Sequence, residues 1–182
     1  MEKGRIILLN GVSSVGKTTL AKTLQERLSD PFYLMDVDTF VGMAPEKYHN
    51  IEGISVQHKF VSKMFHAIKL FSDLGFDLVV PFIFMNGANL LVECVTMLHL
   101  YPVLFVHVTC SVEELRRREK ERGNRGIGEA EAQLSLLVPQ DTYDITVDTY
   151  SLSVEECADK IIELIDNPEN FKAFKLLKKH ME

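Results

Sequence analysis

The chain is short of the features that mark several protein classes. Its three cysteines, Cys94, Cys110 and Cys157, are far apart, odd in number and at no metal-ligand spacing. That argues against a disulfide framework and points to buried thiols in a reducing compartment. Positive charge is scarce: 20 Lys and Arg face 26 Asp and Glu, for a net charge of −6. A broad nucleic-acid footprint is therefore not expected. The longest apolar stretch, around Leu78 to Met85, is far too short to span a bilayer. The first residues run almost at once into an apolar strand, so no secretory leader is expected. The six histidines, His49, His58, His66, His99, His107 and His180, include no pair at ligand spacing. They read as structural or surface residues, with His49 and His58 as acceptor-side candidates. No internal repeat or low-complexity tract is present. With 182 residues, 46% of them hydrophobic, the expectation is one cytoplasmic domain, residues 1–182, with a sizeable core and no membrane partner.

What is there is concentrated at the start. Gly11, Val12, Ser13, Ser14, Val15, Gly16, Lys17 and Thr18 fit G-x-x-x-x-G-K-[ST], followed by Thr19. Ile6 to Leu9 precede the motif as a buried strand, and Leu20, Ala21, Leu24 and Leu28 follow at helical spacing. Strand, glycine loop and helix is the order that phosphate binding requires. Backbone N–H groups of the loop wrap a phosphate, and the positive end of the helix dipole faces it. Lys17 can reach the β- and γ-phosphates, and Thr18 can offer its hydroxyl to Mg²⁺.

The rest alternates strands and helices. Strands are expected at Phe32–Met35, Phe76–Phe84, Val103–Val108 and Tyr143–Val147. Helices are expected through Val56–Leu74, Ala88–Leu98, from Ser111, from Ser153 and over the amphipathic tail, Phe171–His180. Ser111 with Glu114, and Ser153 with Glu156, have capping-box spacing. Mostly continuous apolar strands between helices imply an α/β fold with a five-stranded parallel sheet covered on both faces. Two segments break the rhythm: Thr39–Ile54, an acceptor-side segment, and Arg122–Gly128, part of a short lid over about 118–128. Irregular segments at the carboxyl ends of parallel strands are where ligands bind in such folds.

Asp36 and Asp38 follow the second strand, which is expected to end beside the glycine loop. A kinase of small molecules needs a carboxylate there, to take the proton of an acceptor hydroxyl or to hold a metal through water. Asp38 is assigned as base and Asp36 as the metal-side residue; the ordinary alternative is that either caps a turn. Further along, Arg116, Arg117, Arg118, Lys120, Arg122 and Arg125 are interleaved with Glu113, Glu114, Glu119 and Glu121. Arginines on a closing lid can neutralise charge developing on a transferred phosphoryl group. Arg118, Arg122 and Arg125 are the candidates, and Arg116 and Arg117 read as surface residues. A regulatory NTPase and a non-catalytic nucleotide-binding module stand as alternatives. Against the first, the chain lacks the Asn-Lys-x-Asp guanine motif, and its third strand reaches Pro81 rather than a Walker B aspartate.

These residues resemble the chloramphenicol phosphotransferase-like proteins, small P-loop kinases related in fold to shikimate and adenylate kinases. The likeness covers nearly the whole chain. It rests on Leu9–Lys17, Val37-Asp38, Arg118–Arg125, Tyr143-Asp144, Val147-Asp148-Thr149, Ser153 and Glu156-Cys157-Ala158. It implies a three-layer P-loop kinase fold, ATP and Mg²⁺, and γ-phosphoryl transfer to a hydroxyl of a small acceptor. It also implies Asp38 as base and Arg118, Arg122 and Arg125 on the lid. The chain departs from the family pattern at Pro81-Phe82 and at Pro139-Gln140, where the name-giving enzyme carries acidic residues and a histidine.

Overall fold

The computed structural model describes residues 2–45, 54–85, 89–122, 128–139 and 142–181. The chain runs β1 (Ile6–Asn10), α1 (Lys17–Arg27), β2 (Phe32–Leu34), α2 (Val37–Gly42), α3 (Ile54–Asp73), β3 (Asp77–Phe82) and α4 (Leu90–Leu98). It continues through β4 (Val103–Thr109), α5 (Val112–Arg122), α6 (Glu129–Leu134), β5 (Ile145–Asp148), α7 (Val154–Ile165) and α8 (Ala173–His180). The five strands form one all-parallel sheet in the order β2-β3-β1-β4-β5.

The strand pleat divides the core. Ile7, Leu9, Leu104, Val106 and Val108 face α1 and α7, against Leu20, Leu24, Cys157, Ile161 and Ile165. Ile6, Leu8, Val80, Val103 and Phe105 face α3, α4 and α8, against Phe65, Ile68, Val95, Phe174 and Leu177. Both faces of the central strands are buried, so their sequences are continuous apolar runs without polar alternation. All three thiols are free and buried. The tail helix α8 packs on this second face, through Ala173, Phe174 and Leu177.

Pro81 sits in β3 without breaking a ladder bond. Leu78 donates toward β1, to the Arg5 carbonyl, whereas Val79 accepts from Met35 on the β2 side. By that alternation position 81 turns its nitrogen toward β2, whose pairing ends at Leu34↔Val79. A missing N–H costs nothing where the neighbouring strand has stopped.

Some boundaries differ from the sequence reading. β5 begins at Ile145, although the Asp144 amide already donates to the Phe105 carbonyl of β4 at 2.9 Å. The Asp144 carboxylate accepts the amides of Phe105, Lys172 and Ala173 at 2.9, 2.7 and 2.9 Å, tying β4 to the start of α8. Ser153 and Glu156 form a complete capping box. At α5 only half of one exists: Ser111 accepts the Glu114 amide at 3.3 Å, but the Glu114 carboxylate binds Arg117 and Arg118 instead. Those two cations hold the Glu114 carboxyl down at about 2, Arg117 contributing most. The segment read as irregular, 39–54, opens with the later part of α2; residues 46–53 and Gln140 lie outside the described residues.

Candidate active site

The glycine loop joins β1 to α1 at the carboxyl edge of the sheet. Its backbone shape follows from two glycines and one strained serine. A Cβ on Gly11 would stand 2.3 Å from the Val108 carbonyl oxygen, so the end of β4 leaves room for hydrogen only. Gly16 is left-handed, with φ 98°, and is the N-cap of α1. Ser14 is also left-handed, with φ 60°, and its buried hydroxyl has no partner among the described residues. Thr18 and Thr19 are exposed in the first turn of α1. The residues predicted to bind nucleotide phosphates therefore form one loop wrapped over a helix N-terminus.

The two ends of the loop are held by different partners. At one end, Arg118 spends its guanidinium on protein. It donates to the Val15 carbonyl at 3.2 Å, to Thr149 Oγ1 and O at 3.0 and 2.9 Å, and to Glu114 at 2.8 Å. Thr149 also donates its hydroxyl to the Val15 carbonyl, at 2.8 Å. A Cβ on Gly16 would lie 3.5 Å from this guanidinium. At the other end, the Lys17 amine donates to the carbonyls of Gly11 and Val12 at 2.7 and 2.8 Å. There the Ser13 amide donates to Gln133 Oε1 on α6 at 2.8 Å.

Helix α6 is fixed by a buried carboxylate. Glu119, 1% exposed, accepts the amides of Gly128 and Ala130 at 2.8 and 2.7 Å. Arg116 grips Glu131 from α5 with both its Nε and Nη2. Arg117 binds Glu114 and Glu121, so Arg116 and Arg117 serve the helix surface. Arg122, at the last turn of α5, is exposed and makes no hydrogen bond or ion pair among the described residues. Arg125 lies outside the described residues.

On the acceptor side the structure corrects the placement of β2. That strand does not end beside the glycine loop, because β3 lies between β2 and β1. Two strand spacings, about 10 Å, therefore separate the ends of β2 and β1 across the sheet. Asp36 is the N-cap of α2: its two carboxylate oxygens accept from the Thr39 amide and hydroxyl, both at 2.8 Å. The capping alternative is thus the role its geometry displays. Asp38, in the first turn of α2, is exposed and has no hydrogen bond or ion pair among the described residues. A negative charge is favourable at that end of a helix.

At the carboxyl ends of β1 and β4, on the side of β1 away from β2 and its carboxylates, lies a buried polar set. Asn10, buried directly before Gly11, accepts the Phe84 amide at 2.7 Å and donates to the Tyr143 hydroxyl at 2.6 Å. Tyr143 stacks on His107, with ring centroids 4.7 Å apart. His107 is opposite Asn10 in the β1–β4 register and buried, and its Nδ1 has no partner among the described residues. Burial pushes the His107 imidazole down and the Tyr143 phenol up to about 12, so both are neutral near pH 7. Phe82 and Phe84 pack against each other beside them, at 4.4 Å.

The donor set suits a metal carried in by the nucleotide. Among the described residues no cluster of three or more His, Cys, Asp and Glu could hold an ion by itself. Mg²⁺ commonly takes most ligands from water and phosphate oxygens, and the exposed Thr18 hydroxyl can supply one more.

Comparison with known proteins gives the family and the fold. A provisional O-phosphotransferase of Mycobacterium tuberculosis (strain H37Rv) is 27% identical, over 90% of this chain and 83% of its own length. An adenylyl-sulfate kinase of Clostridium acetobutylicum is 26% identical, over 90% of this chain and 84% of its own. In three dimensions the chain is similar to the APS kinase CysC of Mycobacterium tuberculosis. That match has a TM-score of 0.71 at 16% identity, over 92% of this chain and 100% of the other. Shikimate kinase from Acinetobacter baumannii matches with a TM-score of 0.65 at 20% identity, over 90% and 94% of the two chains. The fold is that of the P-loop kinases. Residues 4–166 match the family of chloramphenicol phosphotransferase-like proteins, and the chain belongs to that family.

Proposed function

We propose that the protein transfers the γ-phosphoryl group of Mg·ATP to a hydroxyl of a small acceptor. The observation that supports this reading is Asp38, an exposed carboxylate without a hydrogen bond or ion pair among the described residues, on the helix that follows β2 in the same parallel sheet whose β1 leads into the P-loop. Asp38 and the loop both follow carboxyl ends of strands of the one parallel sheet, the edge where ligands bind in such folds.

Each residue then has a role. Amides of the loop from Ser14 to Thr18 bind phosphate oxygens, and Lys17 lies against the β- and γ-phosphates. Thr18 would hold Mg²⁺, which would supply positive charge against the phosphates. Arg118 and Thr149 brace the loop through the Val15 carbonyl. Arg122 and Arg125 supply positive charge at the phosphoryl group as it departs. Asp38 accepts the proton of the acceptor hydroxyl as its oxygen attacks phosphorus. Asp36 fixes the helix that carries Asp38. Chloramphenicol is one candidate acceptor, by membership of the family.

The test is ADP release from Mg·ATP against a panel of hydroxylated small molecules, chloramphenicol included. Release that depends on one acceptor class and is lost in Asp38→Asn is the expected result. Nucleotide binding with no acceptor-dependent release would favour a binding module, and release stimulated only by a protein would favour a regulatory NTPase.

A further inference from the structure

The Val12–Ser13 peptide group is engaged from both of its polar ends. Its carbonyl oxygen receives the Lys17 amine at 2.8 Å, and its N–H donates to Gln133 Oε1 at 2.8 Å. Lys17 is the residue that meets the β- and γ-phosphates in a loop of this kind. The opposite end of the loop, Val15 and Gly16, is marked by Arg118 and Thr149. Gln133 therefore stands at the γ-phosphate end of the loop.

Its position is built rather than incidental. Helix α6 is anchored through the Glu119 carboxylate, 1% exposed, which holds the amides of Gly128 and Ala130. Ala130 is fully buried, and Arg116 clamps Glu131 from α5. A carboxamide is also the right chemistry for the place. Its oxygen accepts the loop amide while its NH₂ remains a donor, and that NH₂ now reaches Glu129 only at 3.2 Å. The NH₂ carries two N–H donors, so with one on Glu129 the other can meet a phosphate oxygen, a charged acceptor.

We propose that Gln133 is a direct contact of the phosphoryl group that is transferred, with its oxygen on the Ser13 amide and its NH₂ on a γ-phosphate oxygen. The inference deepens the kinase reading and rests on it, since it requires nucleotide in the P-loop. It makes α6 a sensor of the third phosphate, able to distinguish ATP from ADP.

The experiment compares Mg·ADP with a non-hydrolysable Mg·ATP analogue by calorimetry, for wild type, Gln133→Met, Gln133→Glu and Lys17→Ala. Gln133→Met keeps the side-chain length without the polar atoms. It is expected to weaken the triphosphate about tenfold and to leave ADP within about twofold. Gln133→Glu keeps an oxygen for the Ser13 amide but places a negative charge at the γ-phosphate, so its triphosphate loss is expected to be larger still. Thermal melts of each variant separate a folding defect from a binding one. Equal losses for both nucleotides, or no loss for either, would overturn the role of Gln133. Failure of the underlying reading has a different signature: wild type binds neither nucleotide, or Lys17→Ala changes neither affinity.

Discussion

The nucleotide half and the acceptor half of the site are built on opposite plans. In the nucleotide half nearly every polar group is spoken for. Arg118, Thr149, Lys17 and Gln133 all hold loop backbone, and buried Glu119 fixes the helix that carries Gln133. On the acceptor side Asp38, and at the end of α5 Arg122, are exposed and make no hydrogen bond or ion pair among the described residues. Groups already held in place lose little freedom when phosphate arrives, so affinity for nucleotide is built into the fold. Groups left uncommitted gain partners only when an acceptor is present, which makes them suited to the chemical step rather than to binding.

Substitutions on the two sides should therefore fail in different ways. The largest effect is expected from Asp38→Asn, with turnover down by about a hundredfold to ten-thousandfold and nucleotide affinity unchanged. Steady-state kinetics set beside calorimetry checks the split, and comparable turnover would remove Asp38 as base. Lys17→Ala should cost both, with nucleotide affinity lower by about a hundredfold. Gly11→Ala should act on the fold instead. The new methyl meets the Val108 carbonyl oxygen at 2.3 Å, and a stability loss of about 3 kcal/mol is expected in denaturant titration.

The smallest effect is a change in pH dependence at Tyr143, beside the ends of β1 and β4. Burial raises the Tyr143 phenol to about 12 from the ordinary value of 10.0, so the folded state keeps its proton longer than the unfolded chain does. Its contribution to stability is complete below about pH 10 and is lost as pH rises toward 12. Tyr143→Phe should remove that alkaline loss, while at neutral pH it forfeits the Asn10 bond, worth about 1 kcal/mol. An unchanged alkaline limb in unfolding curves would show that Tyr143 is not the group responsible.

Sequence alone revealed the nucleotide half better than the acceptor half, for a physical reason. The strand, loop and helix from Ile6 to Arg27 are contiguous, and their chemistry demands residue types at fixed spacing. The alternation of apolar strands and helices likewise announced a parallel sheet. Strand order is a matter of distant pairing, and nothing local in Phe32–Leu34 says that β3 will come between it and β1. Gln133 lies 120 residues from Ser13 and belongs to a short helix without a strong apolar period. Tyr143 reads as strand from its β-branched and aromatic neighbours, yet its hydroxyl is drawn to Asn10, outside the ladder. Asp36 shows the limit of residue type as a guide: a carboxylate suited to a metal by its position is engaged by Thr39 three residues on.

The most direct test of the central claim follows the fate of the γ-phosphoryl group by ³¹P NMR, with Mg·ATP, the protein and an acceptor identified from the ADP-release panel. The account predicts a phosphate monoester resonance that grows with ADP and disappears in Asp38→Asn. Inorganic phosphate as the sole product, at the same rate with and without acceptor, would contradict it.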